Sequence, residues 1–240
     1  MTKPKKIKKV YFTLQGKGGI SKSTVSVWLH QYLLSKGSTV KGFDTDPTNS
    51  TFNAFKGLDV DVIPLMQKNQ INQRGFDALI EALLATDVDY MIVDNGATSF
   101  NPMLAYINEN AIFELLKSNG IESIVNTICS GGSEHIETMK GIKYLYDTTD
   151  TKLLVWMNHY FGNMPQGEME PVGILQENFS PDRLAGIIDI PYKNSDTFGK
   201  DIQEMQSLRL TFDEYIDNSS TGILPAHRIK MFKNELFSEI

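Results

Sequence analysis

The sequence predicts a single-domain, doubly wound α/β fold: a mostly parallel β-sheet flanked by helices. Three observations carry that prediction. Short apolar runs such as Tyr90-Met91-Ile92-Val93 lack polar alternation, as strands covered on both faces do. Such runs alternate along the chain with stretches of helical period, the pattern of a parallel sheet. Gly16, Asp44, Asp46, Asp94, Asn158 and Pro191 all fall at the ends of expected strands. Sheets of this class bind their ligands at that edge.

The elements follow in order. Residues 8–14 read as the first strand and 23–35 as a helix that Gly37 stops. Residues 40–43 form a short buried strand, with Pro47 closing its exit because proline cannot donate to a ladder. A short helix is expected at 49–55 and an edge strand at 60–65. Residues 72–85 carry Phe76, Leu79, Ile80 and Leu83 on one helical stripe. A strand at 90–93, one helix over 102–117, a strand at 121–128 and a helix from 133 to 146 follow. Residues 153–157 read as strand, 159–181 as an irregular insertion rich in Gly and Pro, and 184–190 as the last strand. Helices are expected at 195–208, 212–216 and 226–237. The apolar stripe Ile229, Phe232, Leu236, Phe237 and Ile240 is expected to pack on the sheet rather than to bind membrane.

Composition sets bounds on function. The 240 residues are 41% hydrophobic and 22% charged, as in an ordinary globular domain, so one domain over 1–240 is expected, with residues 1–7 a basic tail. The net charge of −6 argues against nonspecific nucleic-acid binding by the whole surface. Lys3, Lys5, Lys6, Lys8 and Lys9 crowd the start, a pattern expected of a solvated tail, so direct DNA binding is not indicated. Cys129 is the lone cysteine and cannot form a disulfide framework. No secretory leader and no bilayer-spanning run is expected, which makes a reducing cytoplasm the simplest location.

The chemistry concentrates in Gly16-Lys17-Gly18-Gly19-Ile20-Ser21-Lys22-Ser23-Thr24. This stretch lies between a strand and a helix, the context of a phosphate-binding loop. Glycines let backbone N–H groups approach an anion, and the helix start adds its positive dipole end. Lys22 is placed to reach the β- and γ-phosphates of ATP, and the Ser23 hydroxyl to hold Mg²⁺. Asp94 reads as the acid that supports that metal, with Asp44 beside it. Asp46 is expected to orient or activate the attacking water. Ser21 stands where the loop pattern has its second glycine. Its Cβ either crowds the β-phosphate or its hydroxyl adds a hydrogen bond, so turnover is in question.

The segment Lys17-Gly18-Gly19-Ile20-Ser21-Lys22-Ser23-Thr24 resembles the deviant Walker A loop of the ParA/MinD superfamily. The resemblance implies that Lys17 is a signature lysine acting across a nucleotide-sandwich homodimer. It also implies that Asp46 orients water and that Asn158 and the Pro191 loop contact adenine. More widely, Asp44-Thr45-Asp46-Pro47-Thr48-Asn49, Val93-Asp94-Asn95-Gly96-Ala97, Trp156-Met157-Asn158-His159-Tyr160-Phe161-Gly162 and Asp196-Thr197-Phe198-Gly199 resemble the TraL family of conjugal-transfer proteins. That likeness implies a role in conjugative plasmid transfer, with conjugation or relaxosome proteins as partners. Two alternatives stand beside the ATPase switch: a nucleotide-binding adaptor without turnover, and a plasmid partition or positioning ATPase. An iron-protein reading fails, because one cysteine cannot supply such a cluster.

Overall fold

A computed structural model describes residues 7–46, 48–67, 70–167 and 170–240. Seven strands form one sheet: β1 (Lys8–Thr13), β2 (Val40–Asp44), β3 (Val60–Val62), β6 (Tyr90–Asp94), β7 (Ile121–Ser130), β8 (Lys152–Asn158) and β9 (Leu184–Asp189). Their spatial order is β3-β2-β6-β1-β7-β8-β9, and every pairing is parallel. The chain builds β2, β3 and β6 on one side of β1 and β7, β8 and β9 on the other. The carboxyl end of β1 therefore lies where the winding reverses, the place where such sheets open a crevice. A two-stranded antiparallel hairpin, β4 (Met66–Gln67) and β5 (Gln70–Ile71), stands apart from the sheet.

Both sheet faces are apolar, and neighbouring residues divide between them. Val10, Phe12, Met91, Val93, Val125, Leu153 and Val155 pack with α2 (Gln73–Ala85), α3 (Phe100–Glu109), α4 (Ile112–Ser118), α5 (His135–Thr148) and α6 (Pro171–Asn178). Ile92, Ile124, Ile128, Leu154 and Trp156 pack with α1 (Lys22–Ser35), α7 (Lys200–Ser207), α8 (Phe212–Asp217) and α9 (Ile223–Glu239). This explains the unbroken apolar runs in the sequence. Ile229, Phe232 and Leu236 of α9 are buried beside Trp28 and Phe212, so the C-terminal stripe faces the core as expected. No helix among the described residues is long and apolar enough to cross a membrane.

Four local expectations change. Residues 49–55 form turns rather than a helix. The Asp46 carboxylate takes the Thr48 and Asn49 N–H groups and Asp44 takes that of Asn53, so these carboxylates hold the segment as a loop. The helix expected over 102–117 is two helices, broken at Ala111, which adopts a φ of 48°. Asn110 donates its side-chain amide to the Tyr106 carbonyl there, a local bond that competes with the helical ladder. Within 159–181, α6 forms from Pro171, where proline suits the first helical position, and buries Leu175. The hairpin of β4 and β5 was not expected. The exit at Pro47 and residues 1–6 of the basic tail lie outside the described residues.

His30, on α1, is completely buried with its ring edge-on to Phe52. Neither ring nitrogen meets a hydrogen-bond partner among the described residues. Burial pushes its pKa down to about 4, and Asp59 offsets part of that shift.

Candidate functional site

The loop between β1 and α1 is shaped by two left-handed residues. Gly19 has a φ of 76° and Ser21 a φ of 78° with ψ of 28°. Glycine adopts this conformation without penalty and serine does not. The position where the loop pattern has glycine thus uses a glycine backbone, which gives the Ser21 departure a physical meaning independent of any ligand. Gly16 also has a spatial reason: a Cβ there would sit 3.1 Å from the Phe100 ring. Gln15, buried just before the loop, accepts the Gly16 N–H and donates to the Ile128 and Thr138 carbonyls. It anchors the loop to β7 and α5. The Ile20 side chain is core.

A cavity of about 470 Å³ opens over this loop. Gly18, Gly19, Ser21, Lys22, Ser23 and Thr24 line one side. Asp46, Thr48 and Asn49 line it from the loop after β2, and Ala97 and Thr98 from the loop after β6. Lys22 is buried, and its Nζ crosses the loop to donate to the Lys17 carbonyl at 2.7 Å. Burial lowers its pKa, while Asp94 and Asp46 raise it. Asp46 packs against the backbone of Gly96, where a Cβ would lie 2.6 Å from its Oδ1.

Asp44 and Asp94 are register partners at the ends of β2 and β6. Burial drives the Asp94 carboxyl up to about 7, and the Asp44 charge pushes the same way. Hydrogen bonds from Ser23 and Ser26 and the charge of Lys22 oppose them. Ser26 Oγ lies 2.9 Å from Asp94 Oδ1. Asp44 is also shifted up by burial, but both its oxygens accept backbone N–H groups, from Asp46 and Asn53. It anchors the loop that carries Asp46. The Ser23 hydroxyl and Asp94 form an all-oxygen donor set, the chemistry Mg²⁺ takes. A buried carboxyl with its pKa near neutrality is one whose charge a divalent cation would stabilise. Among the described residues no cluster of His, Cys, Asp and Glu could hold a metal by itself.

Lys17 does not face this cavity. Its Nζ lies 2.6 Å from Glu134 Oε2 and 3.0 Å from Glu137 Oε2, both of the same chain. The sequence reading missed both glutamates, whose proximity comes from the sheet order and not from spacing. A second cavity of about 630 Å³ adjoins the first across Ser21 and Thr24 and is lined by Asn158 and Pro191. The Asn158 amide lies 3.3 Å from both the Ile20 carbonyl and Ser21 Oγ. The expected adenine-side residues therefore share a cavity, and one of them also braces the loop.

A glycine-rich loop at the central strand, with acids at the ends of the two strands beyond it, defines a P-loop nucleotide-binding protein. Comparison with known proteins agrees. The family model for the CobQ/CobB/MinD/ParA nucleotide binding domain matches residues 11–209. Protein TraL of Escherichia coli is 36% identical over 237 residues, 97% of each chain, and a second Escherichia coli Protein TraL is 34% identical over 234 residues. Among solved structures, a chain of the MinC:MinD cell division protein complex of Aquifex aeolicus superposes with a TM-score of 0.54 at 14% identity, covering 95% of this chain and 96% of that one. The chain belongs to the ParA/MinD superfamily of P-loop ATPases and is a TraL-like member of it.

Proposed function

We propose that the chain is an ATP-driven switch in conjugative DNA transfer, binding Mg·ATP on the loop between β1 and α1. The observation that carries the reading is the convergence of Lys22, Ser23, Asp46 and the loop glycines on one cavity. Lys22 would leave the Lys17 carbonyl for the phosphates, a charge-assisted contact in a buried setting. Ser23 and Asp94 would hold Mg²⁺, which supplies positive charge to the phosphate oxygens. Asp46, held beside Gly96, would orient the attacking water. Asn158 and Pro191 would border the adenine. Lys17 would exchange Glu134 and Glu137 for the phosphates of a second copy, which makes nucleotide binding a signal for homodimerisation. The likeness to Escherichia coli TraL supports partners among the conjugation or relaxosome proteins.

A second reading, an adaptor that binds nucleotide without turnover, draws support from Ser21, which stands in place of the loop's glycine while holding a left-handed backbone. Light scattering during a Mg·ATP titration, read beside phosphate release, separates the two. The switch requires ATP-dependent dimers in wild type, loss of dimers and turnover in Lys17→Ala, and persistent dimers in Asp46→Ala. Monomers at every ATP concentration in all three proteins would refute it. Dimers alike in all three, with no phosphate release, would establish the adaptor.

A further inference from the structure

A chain of buried hydrogen bonds runs from the core of β8 to the Asp94 carboxylate. The Trp156 indole N–H donates to Asn126 Oδ1. Asn126 Nδ2 donates to Thr13 Oγ1 at 3.0 Å. Thr13 Oγ1 lies 2.8 Å from Ser26 Oγ, which lies 2.9 Å from Asp94 Oδ1. All five side chains are buried, and they come from β8, β7, β1, α1 and β6. Thr13, Ser26, Asn126 and Trp156 belong to no phosphate-loop pattern.

The direction of this chain is fixed from its two ends, by a donor at Trp156 and an acceptor at Asp94. An indole nitrogen can only donate. It therefore holds the Asn126 oxygen toward Trp156 and turns the Asn126 amide toward Thr13. Thr13 Oγ1 accepts that bond and gives its own hydrogen to Ser26. Ser26 lies closer to Asp94 Oδ1, at 2.9 Å, than to its other acceptor, the Lys22 carbonyl at 3.2 Å, and gives its hydrogen to the carboxylate, which leaves Thr13 as the donor between the two hydroxyls. Bonds aligned head to tail polarise one another. The chain ends by committing Oδ1 of Asp94 to the protein interior.

We propose that Thr13, Asn126 and Trp156 are positioning residues for the Mg²⁺ acid: through Ser26 they fix which carboxylate oxygen of Asp94 is presented to the metal. The inference rests on the reading of Asp94 as that acid. Outer partners of metal-supporting groups typically change metal affinity by about 10- to 100-fold when removed.

The test is a Mg²⁺ titration of a fluorescent ATP analogue bound to the full chain, repeated in EDTA without Mg²⁺. Thr13→Val keeps the shape and removes the hydroxyl. It should raise the Mg²⁺ concentration for half-maximal effect about tenfold and leave analogue affinity in EDTA unchanged. Thr13→Ser should restore the wild-type midpoint. Trp156→Phe, two links further out, should shift it in the same direction by less, and it carries the test if Thr13→Val does not fold. A wild-type midpoint in the folded variants would overturn the proposal, as would equal loss of affinity in EDTA or failure of serine to rescue. A wild type indifferent to Mg²⁺ would overturn both the proposal and the reading of Asp94 beneath it.

Discussion

Replacing Ser21 by glycine should stabilise the protein. Ser21 holds φ 78° and ψ 28°, a left-handed conformation that costs an L-residue about 1–2 kcal/mol. Glycine removes that cost but brings more backbone entropy to the unfolded chain, worth about 0.5–1 kcal/mol. The substitution also deletes the contact of Ser21 Oγ with Asn158 at 3.3 Å, which is long, while Asn158 keeps the Ile20 carbonyl at the same distance. The net gain is about 0–1.5 kcal/mol, or at most roughly 6 °C in melting temperature for a chain of this length. Thermal melts and urea midpoints read it directly. Ser21→Ala separates backbone from hydroxyl, since alanine keeps the strained φ and loses only the oxygen, so it should melt at or below wild type. A Ser21→Gly protein that melts lower than wild type would refute the strain argument. Nucleotide affinity adds a second result: glycine should bind ATP at least as tightly as serine, and weaker binding would identify the hydroxyl as a ligand.

Lys22→Ala should weaken ATP binding by about 2–3 kcal/mol, the worth of a charge-assisted contact, and calorimetry should find it with the fold intact; unchanged affinity would remove the loop from the site. Arg228 holds Asp201 through two nitrogens, and Asp201 is buried. Arg228→Met strands that carboxylate and should lower the urea midpoint by more than Lys143→Ala at the exposed pair with Asp147.

Much of the sheet was legible because its residues obey one rule each. The run Tyr90 to Val93 is buried on both faces and reads so without a partner in view. Phe76, Leu79, Ile80 and Leu83 share a helical stripe, and all four are buried. The loop from Gly16 to Thr24 is contiguous, so its spacing survives in the sequence. Features that depend on two distant segments were not legible. Nothing near Asn110 announces that Ala111 will turn left-handed, and a continuous apolar pattern runs through the break. A short helix was expected over 49–55, but carboxylates from Asp44 and Asp46 claim N–H groups of this segment and of Thr48 before it. The partners of Lys17 stand more than a hundred residues away, Glu134 just before α5 and Glu137 on it, and only the adjacency of β1 and β7 brings them near. Ser26 looks like an ordinary helical residue until the register places Asp94 beside it.

His30 and Asp94 bear on stability with opposite signs, and their opposition is itself testable. His30 is neutral in the fold down to about pH 4, whereas an exposed histidine titrates near 6.5. Between those values the unfolded chain holds the extra proton, so acidification removes stability, about 3 kcal/mol over the window. Asp94 carries its proton in the fold up to about pH 7, whereas an exposed aspartate loses it near 3.9. There the folded chain holds the extra proton, so acidification adds stability, by about 4 kcal/mol. Asp44, also shifted up, acts in the same sense as Asp94, while Lys22 beside Asp94 and Asp59 beside His30 moderate each shift. From pH 6.5 to 4 the two slopes nearly cancel, and the urea midpoint of wild type in EDTA should be almost flat. Asp94→Asn deletes one slope: stability should then fall steeply on acidification and, at pH 7.5, exceed wild type because the buried Asp94 charge is gone. His30→Leu deletes the other, and stability should rise as pH drops from 6.5 toward 4. Parallel pH profiles for the two variants would show that neither group titrates as its burial dictates.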